Sequence, residues 1–282
     1  MELKVNEAFI DKSRNMEEGF SAGMMGVIEK SILKKEDLFD NSISRYVMRS
    51  MLACFYLTLG TGIAVGLANS IEHLIPGWGK LGYAFMFTWS LVMIIYLNAE
   101  LGTSNMMYMT TAVHRNVLPW RKALAILGTC LFFNAVGAVL IGWALSYTGV
   151  FKNVPTDHFL VTLAAVKLAK APLQIFVEGI FANMVVNITV FVTMRIKDDA
   201  GKILAIVFLI FIFAFLGFEH VVANFSSLSL AYFASGGNVP GMTIAAVLTN
   251  IVFATAGNYV GGGLLIGLNY SWLNDEKTSY TD

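Results

Sequence analysis

Long apolar runs, broken by short polar stretches, dominate this chain from residue 46 to residue 270. Six of them are long enough to cross a bilayer as helices: Tyr46–Ala68, Leu81–Ala112, Ala123–Tyr147, Pro172–Met194, Ile203–Ala234 and Gly241–Tyr270. A crossing needs about 20 such residues for a ~30 Å hydrocarbon core. The second and fifth runs are each 32 residues long. As straight helices, at ~1.5 Å per residue, they would reach roughly 48 Å. Both are therefore predicted to be broken, and each has a polar interruption at which to break. The interruptions are Glu100-Leu101-Gly102-Thr103-Ser104-Asn105 and Glu219-His220-Val221-Val222-Ala223-Asn224.

These two stretches share the spacing Glu-x-x-x-x-Asn and lie 119 residues apart. The third and sixth runs also correspond. Asn134-Ala135-Val136-Gly137 matches Asn258-Tyr259-Val260-Gly261 at an offset of 124 residues. Two pairs at nearly one offset indicate an internal repeat. With three crossings per half, the second half must enter from the opposite face. The expected fold is an all-α integral membrane protein of two inverted three-helix repeats, with its functional site near the midplane where the broken helices meet. Unwound backbone at that depth is tolerated only when buried or lining a cavity. Helix N-termini exposed there favour anions, and carbonyl ends of the same breaks could instead hold cations.

Composition agrees: 56% of residues are hydrophobic and 13% charged, against roughly a quarter charged in soluble domains. Residues 1–45 are polar and lack the apolar core of a secretory signal, so they read as a terminal segment before a six-helix domain over 46–270 and a tail over 271–282. Eleven Lys and Arg residues border the spans on the side of the termini, against four on the other. That bias places both termini in the cytoplasm, as expected for a protein of a prokaryotic cytoplasmic membrane. The formal charge of zero gives no sign of nucleic-acid binding. Cys54 and Cys130 show neither pairing nor metal-ligand spacing and read as small buried hydrophobes.

Ionisable groups within spans usually serve a function, and His220 is the sharpest candidate because an imidazole can relay protons near neutral pH. His73, His114 and His158 fall in or near loops and are expected to be solvated. Glu100 and Glu219 read either as proton carriers or, since each half has one, more naturally as acceptors for the N–H groups freed at the breaks, and Glu178 has no evident counterpart. Asn105, Asn183, Asn187, Asn224 and Asn258 suit either interhelical hydrogen bonding or pore lining. Lys167 and Lys170 either snorkel to water or draw anions to a pore mouth. Of Phe208, Phe211, Phe213 and Phe215, one or two could narrow a pore.

With these residues assembled, the chain resembles the formate/nitrite transporter family. Four motifs carry the likeness: Gly217-Phe218-Glu219-His220-x-x-Ala223-Asn224, Ala99-Glu100-Leu101-x-Thr103-Ser104, Gly257-Asn258-x-x-Gly261-Gly262-Gly263, and Ala182-Asn183 with Val186. The resemblance covers all six spans. It implies an aquaporin-like fold, a homopentamer and a pore through each protomer. No enzymatic activity or cofactor is expected, since one embedded histidine without a nucleophile or metal cluster does not make a catalytic site. By motif, His220 is the central pore histidine and Thr103 its hydrogen-bonded partner, with Asn183, Asn224 and Glu219 beside them. Phe87 and Phe213 take the constriction positions, Leu101 falls in the same narrow region, and Lys167 takes the outer-vestibule position. Gly102 departs from the family, which commonly has a bulky aromatic there, and would widen or loosen the gate.

The function this implies is pH-dependent movement of a small monovalent anion, formate or nitrite, with protons. Nitrite or hydrosulfide transport and a neutral-solute channel are the alternatives. The latter class usually carries Asn-Pro-Ala boxes at its half-helix tips, and neither break contains one.

Overall fold

A computed structural model describes residues 23–274. Residues 1–22 of the expected terminal segment and 275–282 of the expected tail lie outside the described residues. Helix α1 (Gly23–Asn41) precedes the first span, α2 (Ile43–Leu74). The second span is α3 (Gly79–Phe87) and α4 (Trp89–Tyr96), then a break, then α5 (Gly102–His114). Next come α6 (Trp120–Leu145), the short α7 (Phe159–Leu168) and α8 (Pro172–Arg195). The fifth span is α9 (Asp199–Leu216), a break, and α10 (Val221–Ala234). The sixth begins as α11 (Ile244–Asn258), winds as a π-helix over Tyr259–Leu268 and ends as α12 (Asn269–Leu273). Six of these helical stretches are long and apolar enough to cross a membrane.

Polarity runs opposite to that of a soluble protein. Phe132, Phe208 and Leu173 are more than half exposed, whereas Asn105, Asn134, Asn183, Asn224, Asn250 and Asn258 are fully buried. Apolar residues outside and amides inside suit a bilayer solvent, and buried amides need partners that only other helices can supply.

The inverted repeat is visible in the packing. In the first half, Gly137 of α6 lies so close to α2 that a Cβ there would sit 2.5 Å from the Met51 carbonyl oxygen. In the second half, a Cβ on Gly261 would collide with the Ile180 carbonyl of α8. Both contacts need glycine, because a side chain would push the helices apart. Helix α1 lies on the side of both ends of the described chain. There Arg115, which follows α5, pairs with Glu29 of α1 and donates to the Ser271 and Asn274 carbonyls at 3.5 and 3.4 Å. This is called the terminal side below, and the opposite one the far side.

Candidate functional site

Both breaks are built to one plan. After α4 the chain turns through Asn98, at φ +51°, and after α9 through Gly217, at φ +75°. Asparagine and glycine are the residues that enter this left-handed region most readily. The Asn98 and Gly217 carbonyls, left without helical partners, accept from Arg49 Nη1 at 2.7 Å and Lys170 Nζ at 2.9 Å. Two residues further on stand Glu100 and Glu219, and then Leu101 and His220, the N-caps of α5 and α10.

Sequence reasoning assigned the freed N–H groups to the two glutamates, and the structure corrects this. Asparagines from the neighbouring spans take them. Asn134 Oδ1 accepts from Gly102 N at 2.8 Å, while its Nδ2 donates to Ser50 O and Glu100 O at 2.6 and 2.9 Å. Asn258 repeats the arrangement: Oδ1 accepts from Val221 N at 2.8 Å, and Nδ2 donates to Gly179 O and Glu219 O at 2.8 and 2.9 Å. An amide carries an acceptor and a two-hydrogen donor, so one side chain can hold both edges of a gap. A carboxylate only accepts. Asn183 links α5 to the asparagine that clamps the second break, its Nδ2 lying 3.0 Å from Thr103 O and 2.8 Å from Asn258 O.

The glutamates bind cations and amides instead. Glu100 Oε2 receives Lys35 of α1 at 2.7 Å and Asn105 Nδ2 at 2.9 Å. Glu219 Oε2 receives Asn224 and Asn250 at 2.7 and 3.1 Å, and its Oε1 receives Lys167 at 3.2 Å and Lys170 at 2.6 Å. Asn224 therefore belongs to this carboxylate cluster. Lys167 is buried on α7 and tied to Glu219, and Lys170 bridges Glu219 and Glu178, which gives Glu178 its partner. Asn250 was missed by sequence reasoning. Its signal was an amide inside an apolar run, the criterion that picked out five others.

His220 Nδ1 accepts from Ala223 N at 3.2 Å, capping α10. With Nδ1 accepting, the neutral ring carries its proton on Nε2, and a second proton on Nδ1 would break the cap. Nε2 makes no hydrogen bond, and neither does Thr103 Oγ1, although both atoms are buried. The expected His220–Thr103 hydrogen bond is thus not formed. Both groups stand at the N-terminal ends of opposed half-helices with their polar atoms unspent.

Apolar walls flank them. The Phe213 ring lies 5.7 Å from the His220 ring, edge-on, and 5.9 Å from that of Phe87. Phe213 lines a far-side vestibule of about 410 Å³ together with Lys80, Lys167 and Lys170. Leu101 does not share that constriction. It lines the terminal-side vestibule of about 630 Å³ with Leu91, Ile94, Lys35 and Glu100. Phe87 and Phe213 thus stand on one side of the pair, and Leu91 and Leu101 line the vestibule on the other; of these two leucines sequence reasoning found only Leu101.

Gly102 does not widen this path. A Cβ there would point away, to within 2.5 Å of Leu131 Cδ2 and 3.0 Å of Asn134 Oδ1, so the missing side chain makes room for α6. The expectation of a solvated His158 also fails: it is buried, and its Nδ1 accepts from Leu160 N at 3.1 Å to cap α7. Among the described residues no group of three or more His, Cys, Asp or Glu side chains is placed to hold a metal ion.

Comparison with known proteins agrees with this geometry. The family model for the formate/nitrite transporter matches residues 24–272. The chain is 27% identical to the uncharacterized transporter YwcJ of Bacillus subtilis, over 89% of this chain and 97% of that one. It is 28% identical to the nitrite transporter NirC of Escherichia coli, covering 82% and 83%. A solved FNT family ion channel superposes with a TM-score of 0.82 at 25% identity, covering 89% and 98%. A pentameric formate channel with formate bound superposes at 0.69 and 20% identity, over 83% and 97%, which bears on the fold alone. The chain is a multi-pass membrane transporter and belongs to the formate/nitrite transporter family.

Proposed function

We propose that this protein moves a small monovalent anion, formate or nitrite, together with a proton across the cytoplasmic membrane. The observation that carries this reading is the pair of unspent buried groups, Thr103 Oγ1 and His220 Nε2, at the N-termini of two opposed half-helices. Unpartnered polar atoms are costly in an apolar interior, and their natural partner is the transported species. Positive helix ends from both sides favour a negative one.

The lysines of each vestibule draw in the anion. Between Phe87 and Phe213 on one side and Leu91 and Leu101 on the other, its charge becomes costly and a weak acid's pKa rises, so it takes up a proton. The Nε2–H of His220 donates to one substrate oxygen and the Thr103 hydroxyl to another, and the neutral acid passes the apolar walls. Flux should therefore rise with acidity on the entry side. Both termini face the cytoplasm, and protomers assemble as homopentamers, as in the pentameric channel that shares the fold.

The test is uptake of formate and nitrite, measured side by side in proteoliposomes from pH 5 to 8. The expected result is faster uptake in acid and loss of it in His220→Phe, with the variant still assembled by size-exclusion chromatography. Unchanged flux and pH dependence in that variant would sink the proposal.

A further inference from the structure

Beside Lys167 the far-side mouth holds a second lysine, and it has more partners. Lys170 lies in the short link between α7 and α8, and its ammonium donates to three oxygens. These are Glu178 Oε2 at 2.5 Å, Glu219 Oε1 at 2.6 Å and the Gly217 carbonyl at 2.9 Å. Lys167 stands 3.2 Å from the same Glu219 oxygen. One carboxylate oxygen is thus shared by two ammonium groups, and Lys170 is the nearer. The remaining acceptors are also occupied: Gln174 donates to Glu178 Oε1 at 2.8 Å, and Asn224 and Asn250 hold Glu219 Oε2.

We infer that Lys170 and Glu178 together set the net charge of this mouth and thereby its affinity for the incoming anion. Lys170 shares Glu219 with Lys167 and offsets part of its charge, which leaves more of the charge of Lys167 for substrate. The balance can be counted. Lys80, Lys167, Lys170 and Glu178 line the vestibule, and Glu219 lies buried behind it. Three lysines against two carboxylates leave one positive charge in excess. Removing Lys170 brings the balance to zero and makes Lys167 the only lysine on Glu219. Removing the charge of Glu178 raises the excess to two. Clefts lined by one sign of charge concentrate counter-ions at least about tenfold, and the field focused there scales with the excess.

The competing explanation is structural: Lys170 merely ties down the Gly217 carbonyl at the break. The two explanations part on Glu178. A structural strut is weakened by losing either member, whereas a charge balance shifts in opposite directions.

The inference rests on the anion-transport reading, and one experiment separates their failures. Initial rates of formate and nitrite uptake would be measured against concentration, at low and high ionic strength, in proteoliposomes. The proteins are the unaltered chain, Lys170→Gln, Lys170→Arg and Glu178→Gln. Lys170→Gln is expected to raise KM roughly tenfold with Vmax retained and to flatten the salt dependence. Lys170→Arg should restore the original KM, and Glu178→Gln should lower it. An unchanged KM in Lys170→Gln, or a raised KM in Glu178→Gln, overturns the inference. If Lys170→Gln does not assemble, the sign of the Glu178→Gln effect decides alone. Absence of any uptake by the unaltered protein would overturn the transport reading and this inference with it.

Discussion

Replacing Asn258 by alanine tests whether the breaks are held by amides from neighbouring spans. The side chain is fully buried and makes three hydrogen bonds, all to backbone: Val221 N, Gly179 O and Glu219 O. Truncation removes all three and leaves two buried backbone groups at the break, Val221 N and Glu219 O, without partners, while Gly179 O keeps its bond inside α8. Hydrogen bonds between membrane helices average about 0.6 kcal/mol each in double-mutant cycles, which sets a floor of roughly 2 kcal/mol. Leaving buried groups unsatisfied costs about 1–3 kcal/mol apiece, which places the upper end several kcal/mol higher. The apparent melting temperature in detergent should therefore fall by at least about 5 °C. Transport should suffer separately, because Glu219 O and Val221 N lie directly on either side of His220. Freeing both lets the imidazole leave its place, and a loss of about 1.4 kcal/mol in positioning is already tenfold in rate. Melting by fluorescence-detected size exclusion and formate flux in proteoliposomes read the two effects. Asn134→Ala, the equivalent change in the first half, should behave alike. A variant that melts and transports like the unaltered protein would refute the clamp.

Phe213→Ala removes the ring packed against both Phe87 and His220, so acetate and lactate uptake should rise relative to formate in a side-by-side flux assay. Gly102→Ala should destabilise by about 1–3 kcal/mol through overpacking against Leu131 while leaving the formate-to-nitrite ratio unchanged. A changed ratio would mean that position 102 faces the pore after all. Burial, with the charge of His73 nearby, holds His158 below the usual histidine range. The unfolded chain then binds a proton that the folded chain does not, and stability is lost as pH falls below about 6.5. Melting temperatures at pH 5 and 8 should show this drop, and His158→Asn, which keeps a capping group, should reduce it.

Much of the fold was legible because a bilayer imposes one requirement on every span. Length and hydropathy sufficed for six crossings, and the excess length of the second and fifth spans announced their breaks. The repeat supplied the inversion. What stayed hidden were the partners of the polar groups. Asn134 and Glu100 are 34 residues apart, Asn258 and Gly179 are 79 apart, and only the packed bundle sets which amide meets which backbone group. A glutamate beside a break is a natural acceptor on paper. The roles of Glu100 and Glu219 changed once Lys35, Lys167 and Lys170 arrived from remote elements to claim them. Leu101 was misplaced for a related reason: adjacency to Thr103 says which loop it occupies but not which vestibule.

The repeat also explains why the site is asymmetric although its scaffold is not. Leu101 and His220 occupy equivalent N-cap positions with similar extended backbone, at φ −97°, ψ 118° and φ −118°, ψ 116°. Both half-helices therefore present positive ends to the midplane, and both are clamped by an equivalent asparagine. Only the side chains differ. Leucine caps nothing and lines the terminal-side vestibule, whereas histidine caps its own helix with Nδ1 and keeps Nε2 free. Thr103 stands opposite Val222 in the repeat, so each half contributes one polar atom from a position where its mate is apolar. The shared scaffold orients both half-helices alike, and the two departures from symmetry supply the unpaired polar atoms. A search for repeated motifs finds the first and must overlook the second, since the residues proposed to touch the substrate are those at which the two halves disagree.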